Sequence, residues 1–449
     1  MLAVKALLLA ALLCGLATAY DTTHDQRDRD RSHSPHDRAR KPRHDKYVAC
    51  YYQSWSIYRN GDGVFQIAND LKPDHCTHLI YAFAGLNGTT NEIKSLDPWA
   101  DLSDTNDPFS SGKGGYRALT TLKYAYPGLK ISLAVGGWND GSVNYSEMAR
   151  DPYRRKRFIN SVVHFLRTYG FDGVDLDWEF PTARGGREYD KWNLVSLLEE
   201  MRHALKEHHF ILTVAISPDV ESMTRRYDIR GIAQNVDYVH LMTYDYHSLD
   251  GGVVMPNAPL DEVNKTLDYV LSAGVSPHKF ALGLPMYGRG YILAEPLRHT
   301  NENPIGKPSL KTSWPGPYNS QEGFFGYNEI CKHFLGNDSW IDRWDNLSST
   351  PYSIHRHKVV VYDNVKSLQA KVLLAMQKGL AGVMVWSIDT DDFRGDCAPL
   401  HERNRIDARD TQYPLMQAIT HAIERGASSA VVADPIGLAV VVVLASLAL

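Results

Sequence analysis

Phe171-Asp172-Gly173-Val174-Asp175-Leu176-Asp177-Trp178-Glu179-Phe180-Pro181 sets three acids in strict alternation with three apolar side chains. Side chains of a strand point in turn to its two faces. Asp175, Asp177 and Glu179 therefore share one face, and Val174, Leu176 and Trp178 the other. A solvated acidic segment does not alternate with Val, Leu and Trp in this way. The apolar face needs a cover, and in a closed barrel that cover is an outer layer of helices, which turns the acids inward. Asp172 is out of phase and stands at the start of the strand, where Gly173 allows a bend.

The rest of the chain supplies such a barrel. Strands are expected at 47–52, 78–84, 130–136, 173–179, 211–217, 237–244, 280–286 and 381–387. Helical segments such as 154–169, 190–208 and 261–273 lie between them. Strands alternating with helices specify an α/β protein, and eight of them specify a closed parallel TIM (β/α)8 barrel. The gap before the last strand is far longer than the others. Residues from about 290 to 370, with the β-like run 358–362, read as a small α+β insertion. The barrel with its insertion is expected to span 47–422.

An acid held inside a barrel is destabilised by desolvation and by its like-charged neighbours. The same forces raise the pKa of at least one member of the row, as a general acid requires near neutral pH. Barrel active sites lie at the C-terminal strand ends. Glu179 is then the acid that meets substrate, with Asp177 one layer deeper. Two carboxylates suggest glycoside hydrolysis, yet their separation along one strand, about 6.6 Å, places both on the same side of a scissile bond. That layout suits a substrate that brings its own nucleophile.

Composition narrows the setting. The 449 residues carry a formal net charge of −4, which gives no sign of a nucleic-acid partner. Lys5, the apolar run 6–18 and Ala17-Thr18-Ala19 read as a signal peptide cleaved after Ala19. Residues 20–46 form a charged linker expected to be disordered. Cys14 leaves with the leader, and Cys50, Cys76, Cys331 and Cys397 remain, an even number that suits an oxidising compartment. Sequence proximity and strand placement favour Cys50–Cys76 and Cys331–Cys397. Sequons begin at Asn87, Asn144, Asn264, Asn337 and Asn346. Residues 423–449 place the small residues Gly426, Ala427, Ser428 and Ser429 ahead of an uncharged run, 436–449, that is too short to span a bilayer. These are the elements of a GPI-attachment signal. A membrane tail beginning near Ala430 and a buried terminal helix are the rival readings.

The acid strand Asp172-x-x-Asp175-x-Asp177-x-Glu179 resembles the signature of glycoside hydrolase family 18, the chitinases. Further stretches resemble the same family: Ser132 to Trp138, Met242-Thr243-Tyr244-Asp245, Pro285 to Arg289, and Gly382 to Trp386. So do Cys50 to Trp55, Cys76-Thr77-His78 and Tyr327 to Cys331, all in order over about 47 to 400. The likeness is to animal and arthropod members with a chitotriosidase-like catalytic domain. It implies cleavage of β-1,4-linked N-acetylglucosamine polymers, chitin or its oligosaccharides, by a substrate-assisted retaining mechanism.

In that mechanism Glu179 protonates the glycosidic oxygen, Asp177 orients the 2-acetamido group, Asp175 modulates the Asp177 proton and Tyr244 bonds the acetamido oxygen. Trp386 forms the floor under the sugar. Tyr51, Trp138, Asp245, Tyr287 and Arg289 match positions that line the subsites. Phe83, Gly136, Gly137, Asp172 and Met242 are further expected substrate contacts. No cofactor or metal is implied, and a monomer is expected.

Two departures stand out. After His247, where many relatives carry a Trp that stacks on the leaving-group sugar, this chain reads Ser248-Leu249-Asp250-Gly251-Gly252. No Cys-rich chitin-binding module follows Cys397. The family also includes members that bind sugar without cutting it, and the same chemistry serves endoglycosidases of N-glycans. The full set of acids here favours catalysis. A metal-dependent hydrolase is disfavoured because no His lies beside the acids.

Overall fold

The computed structural model describes residues 44–103, 112–299, 301–397 and 411–431. The expected signal peptide, nearly all of the charged linker and the apolar run 436–449 lie outside the described residues. In chain order the first sheet takes β1 (Tyr47–Gln53), β2 (His78–Asn87), β3 (Glu92–Ser95), β4 (Lys130–Gly136), β5 (Gly173–Asp177), β6 (Ile211–Ile216), β7 (Tyr238–Leu241) and β8 (Phe280–Pro285). A second sheet takes β9 (Tyr287–Ile292), β10 (Phe324–Gly326), β11 (Ile341–Asp345), β12 (Thr350–His355) and β13 (Lys358–Val361). The chain then returns to the first sheet as β14 (Gly382–Trp386).

The order β1-β14-β8-β7-β6-β5-β4-β2, with β1 also paired to β2, closes the ring, and β3 adds to the outer edge of β2. Every pair within the ring is parallel. The fold is thus the expected TIM barrel, and all eight ring strands overlap their expected spans. β3 was not foreseen. It is a short antiparallel return of β2, with Glu92 opposite Asn87.

Alternation sorts the side chains. Along β1, Tyr47, Ala49 and Tyr51 pack inside the ring, whereas Val48, Cys50 and Tyr52 pack against the helices. Both faces are covered, so β1 is buried at every residue, as parallel barrel strands are. The outer layer includes the helix Pro152–Tyr169, opened by Asp151, whose carboxylate accepts from the Tyr153 and Arg154 amides. It closes on Gly170 at φ 78°, a left-handed cap that favours glycine.

The second sheet is antiparallel, ordered β10-β9-β13-β12-β11. It sits between the seventh and eighth ring strands, where the insertion was expected, but begins with β9 at Tyr287, directly after β8. Cys50–Cys76 and Cys331–Cys397 are bonded, with Cα separations of 6.0 and 5.8 Å. By loop-closure entropy each stabilises the fold by roughly 3–4 kcal/mol. The last described helix, Pro414–Val431, runs through the expected boundary at 422, and its Gly426 lies against Met376 of the helix Val365–Gln377. Among the described residues no helix is long and apolar enough to cross a membrane.

Candidate active site

The acid row is built as the alternation requires, with one correction. β5 stops at Asp177, so Glu179 lies two residues past the strand rather than on it. Val174, Leu176 and Trp178 join the helix-facing core, and the Trp178 indole donates to Ser142 Oγ at 2.6 Å. Asp175 is wholly buried and Asp177 nearly so, whereas Glu179 is half-buried at the barrel mouth. The chain can bring β4 this close to the end of β5 because Gly136 and Gly137 have no side chains. A Cβ on Gly136 would stand 2.1 Å from the Asp177 carbonyl, and one on Gly137 2.8 Å from the Phe83 ring. Both adopt positive φ, 123° and 85°, so they are first of all a requirement of packing.

The three carboxyls have different surroundings. Asp175 accepts from Tyr51 Oη at 2.6 Å and Thr213 Oγ1 at 2.5 Å, with His240 Nδ1 at 3.2 Å. Asp177 Oδ1 is buried without a hydrogen-bond partner. Burial, then the charges of Glu179 and Asp175, push the Asp177 pKa well above the usual carboxylate range. Burial also raises Glu179, to about 7, opposed by the Arg184 guanidinium and reinforced by Asp245. Glu179 thus holds its proton up to about neutral pH, as a general acid must. Above that, the protonated fraction falls about tenfold per pH unit. Turnover is expected to decline above about pH 7 on that slope. A profile that stays flat to pH 9 would assign proton donation to another group.

Aromatic rings line the mouth. Trp386 lies 5.4 Å from Tyr51 and 5.7 Å from Phe83, and Phe83 stacks on Trp55 at 6.0 Å. Tyr244 is buried, and its hydroxyl touches Met384 Sδ at 3.6 Å, a weak acceptor. Met242 packs beside it as part of the interior set. β7 ends at Leu241, short of the expected 244, because the chain bends there to carry Asp245 at φ 53°. Asp245 is held by Arg289 through two bonds of 2.7 Å and by Tyr287 Oη at 2.6 Å. Trp138 follows β4 in a short turn and is 60% exposed.

Two expectations change. Asp172 does not reach the mouth. It lies at the opposite end of β5, where its carboxylate accepts from the Ile131 amide at 2.9 Å and Lys123 Nζ at 3.1 Å, and so it fastens strands together. In place of the missing Trp, Leu249 packs against the insertion's apolar core. Among the rings at the mouth, Trp138 and Trp55 are exposed, 60% and 41%.

Sequence reasoning missed His240, Thr213 and Arg184. His240 was the most readable, as the polar residue between Val239 and Leu241 on the inward phase of β7. Arg184 sits 3.8 Å over the Trp138 ring and donates to the Glu179 carbonyl at 2.9 Å, a contact made by a loop. Among the described residues one group of metal-ligand types gathers, Cys331, Asp392 and Cys397, and its cysteines are spent in a disulfide.

Residues 47–391 match the sequence profile of glycosyl hydrolases family 18. This chain belongs to that family. Its family-18 relatives include "Probable chitinase 2" of Drosophila melanogaster, 41% identical over 88% of this chain and 84% of that protein. "Chitotriosidase-1" of Mus musculus is 34% identical over 78% of this chain and 74% of that one. Among solved structures the family-18 fold is shared with the Ostrinia furnacalis Group IV chitinase in complex with allosamidin. That match has a TM-score of 0.77 and 37% identity, and covers 85% of this chain and all of the other.

Proposed function

We propose that this protein is a chitinase that hydrolyses β-1,4-linked N-acetylglucosamine polymers with retention, using Glu179 as general acid and then general base. The observation that carries the reading is a half-buried carboxylic acid with its pKa raised to about 7, two residues beyond a fully buried acid pair, beneath a mouth of indole rings. Glu179 gives its proton to the glycosidic oxygen, and the C1–O bond breaks. The acetamido carbonyl oxygen of the same sugar attacks C1 and closes an oxazolinium ring. Asp177 accepts a hydrogen bond from the acetamido N–H and stabilises the positive charge, and Tyr244 donates to the carbonyl oxygen. Water then adds to C1 as Glu179 takes its proton back, and the ring reopens. Two inversions at C1 leave the β configuration.

Trp386, Phe83 and Tyr51 form the floor under the distorted sugar, and Trp138 stacks on the leaving side. Asp245, fixed by Arg289 and Tyr287, offers its carboxylate to sugar hydroxyls. The test is product analysis with chitohexaose and cellohexaose. Release of short chitooligosaccharides from the first and nothing from the second is expected. Sugar released from cellohexaose would refute substrate assistance, because that polymer has no acetamido nucleophile.

We place the protein in the secretory pathway on the strength of its leader and its two disulfides. Three of the five sequon asparagines, Asn144, Asn337 and Asn346, are exposed and the other two half-buried, which supports glycosylation. The small residues before the terminal apolar run support attachment by a GPI anchor. Phosphatidylinositol-specific phospholipase is expected to release the protein from expressing cells. Retention on the membrane after complete digestion would favour a spanning tail.

A further inference from the structure

Two guanidinium groups stand over the rings beside Glu179. Trp138 follows β4 and Phe180 follows β5, and the two rings meet edge to face at 6.4 Å. Farther along the loop after Phe180, the Gly186 amide donates to the Ala183 carbonyl at 2.8 Å, and Arg184 turns the chain back at φ 51°. The Arg184 Cζ lies 3.8 Å over the Trp138 ring, and its Nη1 donates to the Glu179 carbonyl at 2.9 Å. Arg226 closes the helix Val220–Arg226, which follows β6, and its Cζ lies 5.0 Å over the Phe180 ring. A cation is attracted to the face of an aromatic ring, so the stacking fixes where both charges sit.

The adjoining arginines have carboxylate partners, and these two do not. Arg187 reaches Glu147, and Arg225 reaches Glu221 at 2.9 Å. Among the described residues neither Arg184 nor Arg226 has a carboxylate within ion-pair distance. Asp219 interacts with Arg226 from farther off, and its own carboxylate accepts from the Ser222 amide at 2.7 Å. Glu179 faces Arg184, but it is uncharged in the form that cuts. The rim around Trp138 and Phe180 therefore carries positive charge that no acid beside it cancels.

We infer that Arg184 and Arg226 set the specificity of the leaving side: their charges turn away a glucosamine unit, whose 2-amino group is a cation, and admit a neutral N-acetylglucosamine unit. The inference deepens the chitinase reading and rests on it. Substrate assistance demands an acetamido group on the sugar that is attacked and none on the sugar that leaves, so the choice there falls to the surrounding protein. A sugar on the open face of Trp138 stands roughly 8 Å from the Arg184 guanidinium, where repulsion weakens the hold on a cation about twofold in water. The effect grows where the rings displace water, and Arg226 adds to it. Arginine keeps its charge across the working pH range, whereas the amine of glucosamine gives up its proton as the pH rises through neutrality. Discrimination is therefore strong in acid and fades in base.

Each cut turns the leaving-side unit into a new non-reducing end. The measurement is the ratio of acetylated to free-amine units at the non-reducing ends of products from a randomly, partly acetylated chitosan, sequenced by mass spectrometry after digestion in low salt at pH 5 and pH 8. At pH 5 the wild type is expected to favour N-acetylglucosamine there about fivefold over its share in the polymer, and at pH 8 less than twofold. Arg184→Gln and Arg226→Gln each lower the pH 5 preference by roughly half, and the double variant abolishes it. The comparison is made within one digest, so a change of overall rate does not enter it. Every product counted comes from a cut made with Glu179 protonated, so its charge is the same at both pH values. The wild-type comparison between pH 5 and pH 8 stands even if a variant fails to fold. Non-reducing ends that match the polymer at pH 5, or a preference that is equal at pH 8 or survives in the double variant, overturn the inference. A wild-type protein inert on chitohexaose overturns the chitinase reading instead.

Discussion

Glu179→Gln is expected to lower kcat on chitohexaose roughly a hundred- to ten-thousand-fold while the protein stays folded and still binds the substrate. Glutamine keeps the shape of the side chain and loses the transferable proton. Without it the departing sugar leaves as an alkoxide, and the acetamido oxygen must attack an unactivated bond. The same group later takes the proton from water, so both halves of the cycle slow together. Stability should hold or rise. Glu179 loads a charge onto Asp177, which is buried and already lacks a partner for one oxygen, and the neutral amide removes that repulsion. Products separated by chromatography, beside a thermal melt followed by circular dichroism, give both readouts. Near-full turnover would remove Glu179 from its role. Loss of turnover together with loss of the melt would show only that the side chain is needed for folding.

Asp177→Asn is expected to lower kcat by about a hundred- to a thousand-fold with KM little changed. The range is that of deleting one preorganised electrostatic partner of a developing charge. An amide at 177 can still form a hydrogen bond to the acetamido group. It has no proton to release, and so cannot become the carboxylate that offsets the positive charge of the oxazolinium ring as C1 is attacked. The effect is confined to the transition state and the intermediate, which is why kcat moves and ground-state binding does not. Steady-state kinetics on a fluorogenic chitobioside, with wild type and Glu179→Gln alongside, check it. If Asp177→Asn raised KM as steeply as it lowered kcat, Asp177 would be holding the bound sugar rather than its charged successor.

Both expectations arise from a feature that is legible in one dimension. Period-two alternation from Val174 to Glu179 put the acids on one face before any partner was known, since the geometry of a strand depends only on its own backbone. The same holds for the eight ring strands, which are short β-rich runs with helical segments between them. It holds also for Cys50 on β1 and for Cys76, 26 residues on and just ahead of β2. Asp172 shows the limit. It belongs to the same run of acids, yet it stands out of phase at the start of the strand, where it meets Ile131 and Lys123 away from the mouth, and no sequence pattern names those partners. Leu249 is a second case. The missing Trp was readable, and the core that Leu249 joins instead was not.

The sequence by itself determined the barrel, the inward acids and the identity of the outermost one, because periodicity and burial of apolar side chains are local demands. Only the tertiary structure decided which partners each acid meets. Tyr51 and Asp175 are 124 positions apart, and Tyr47 and His240 are 193 apart. Hydrogen bonds between such residues exist only once the ring has closed. A carboxyl's proton affinity is set by the donors and charges within a few ångströms, and it is the closed barrel that brings them there.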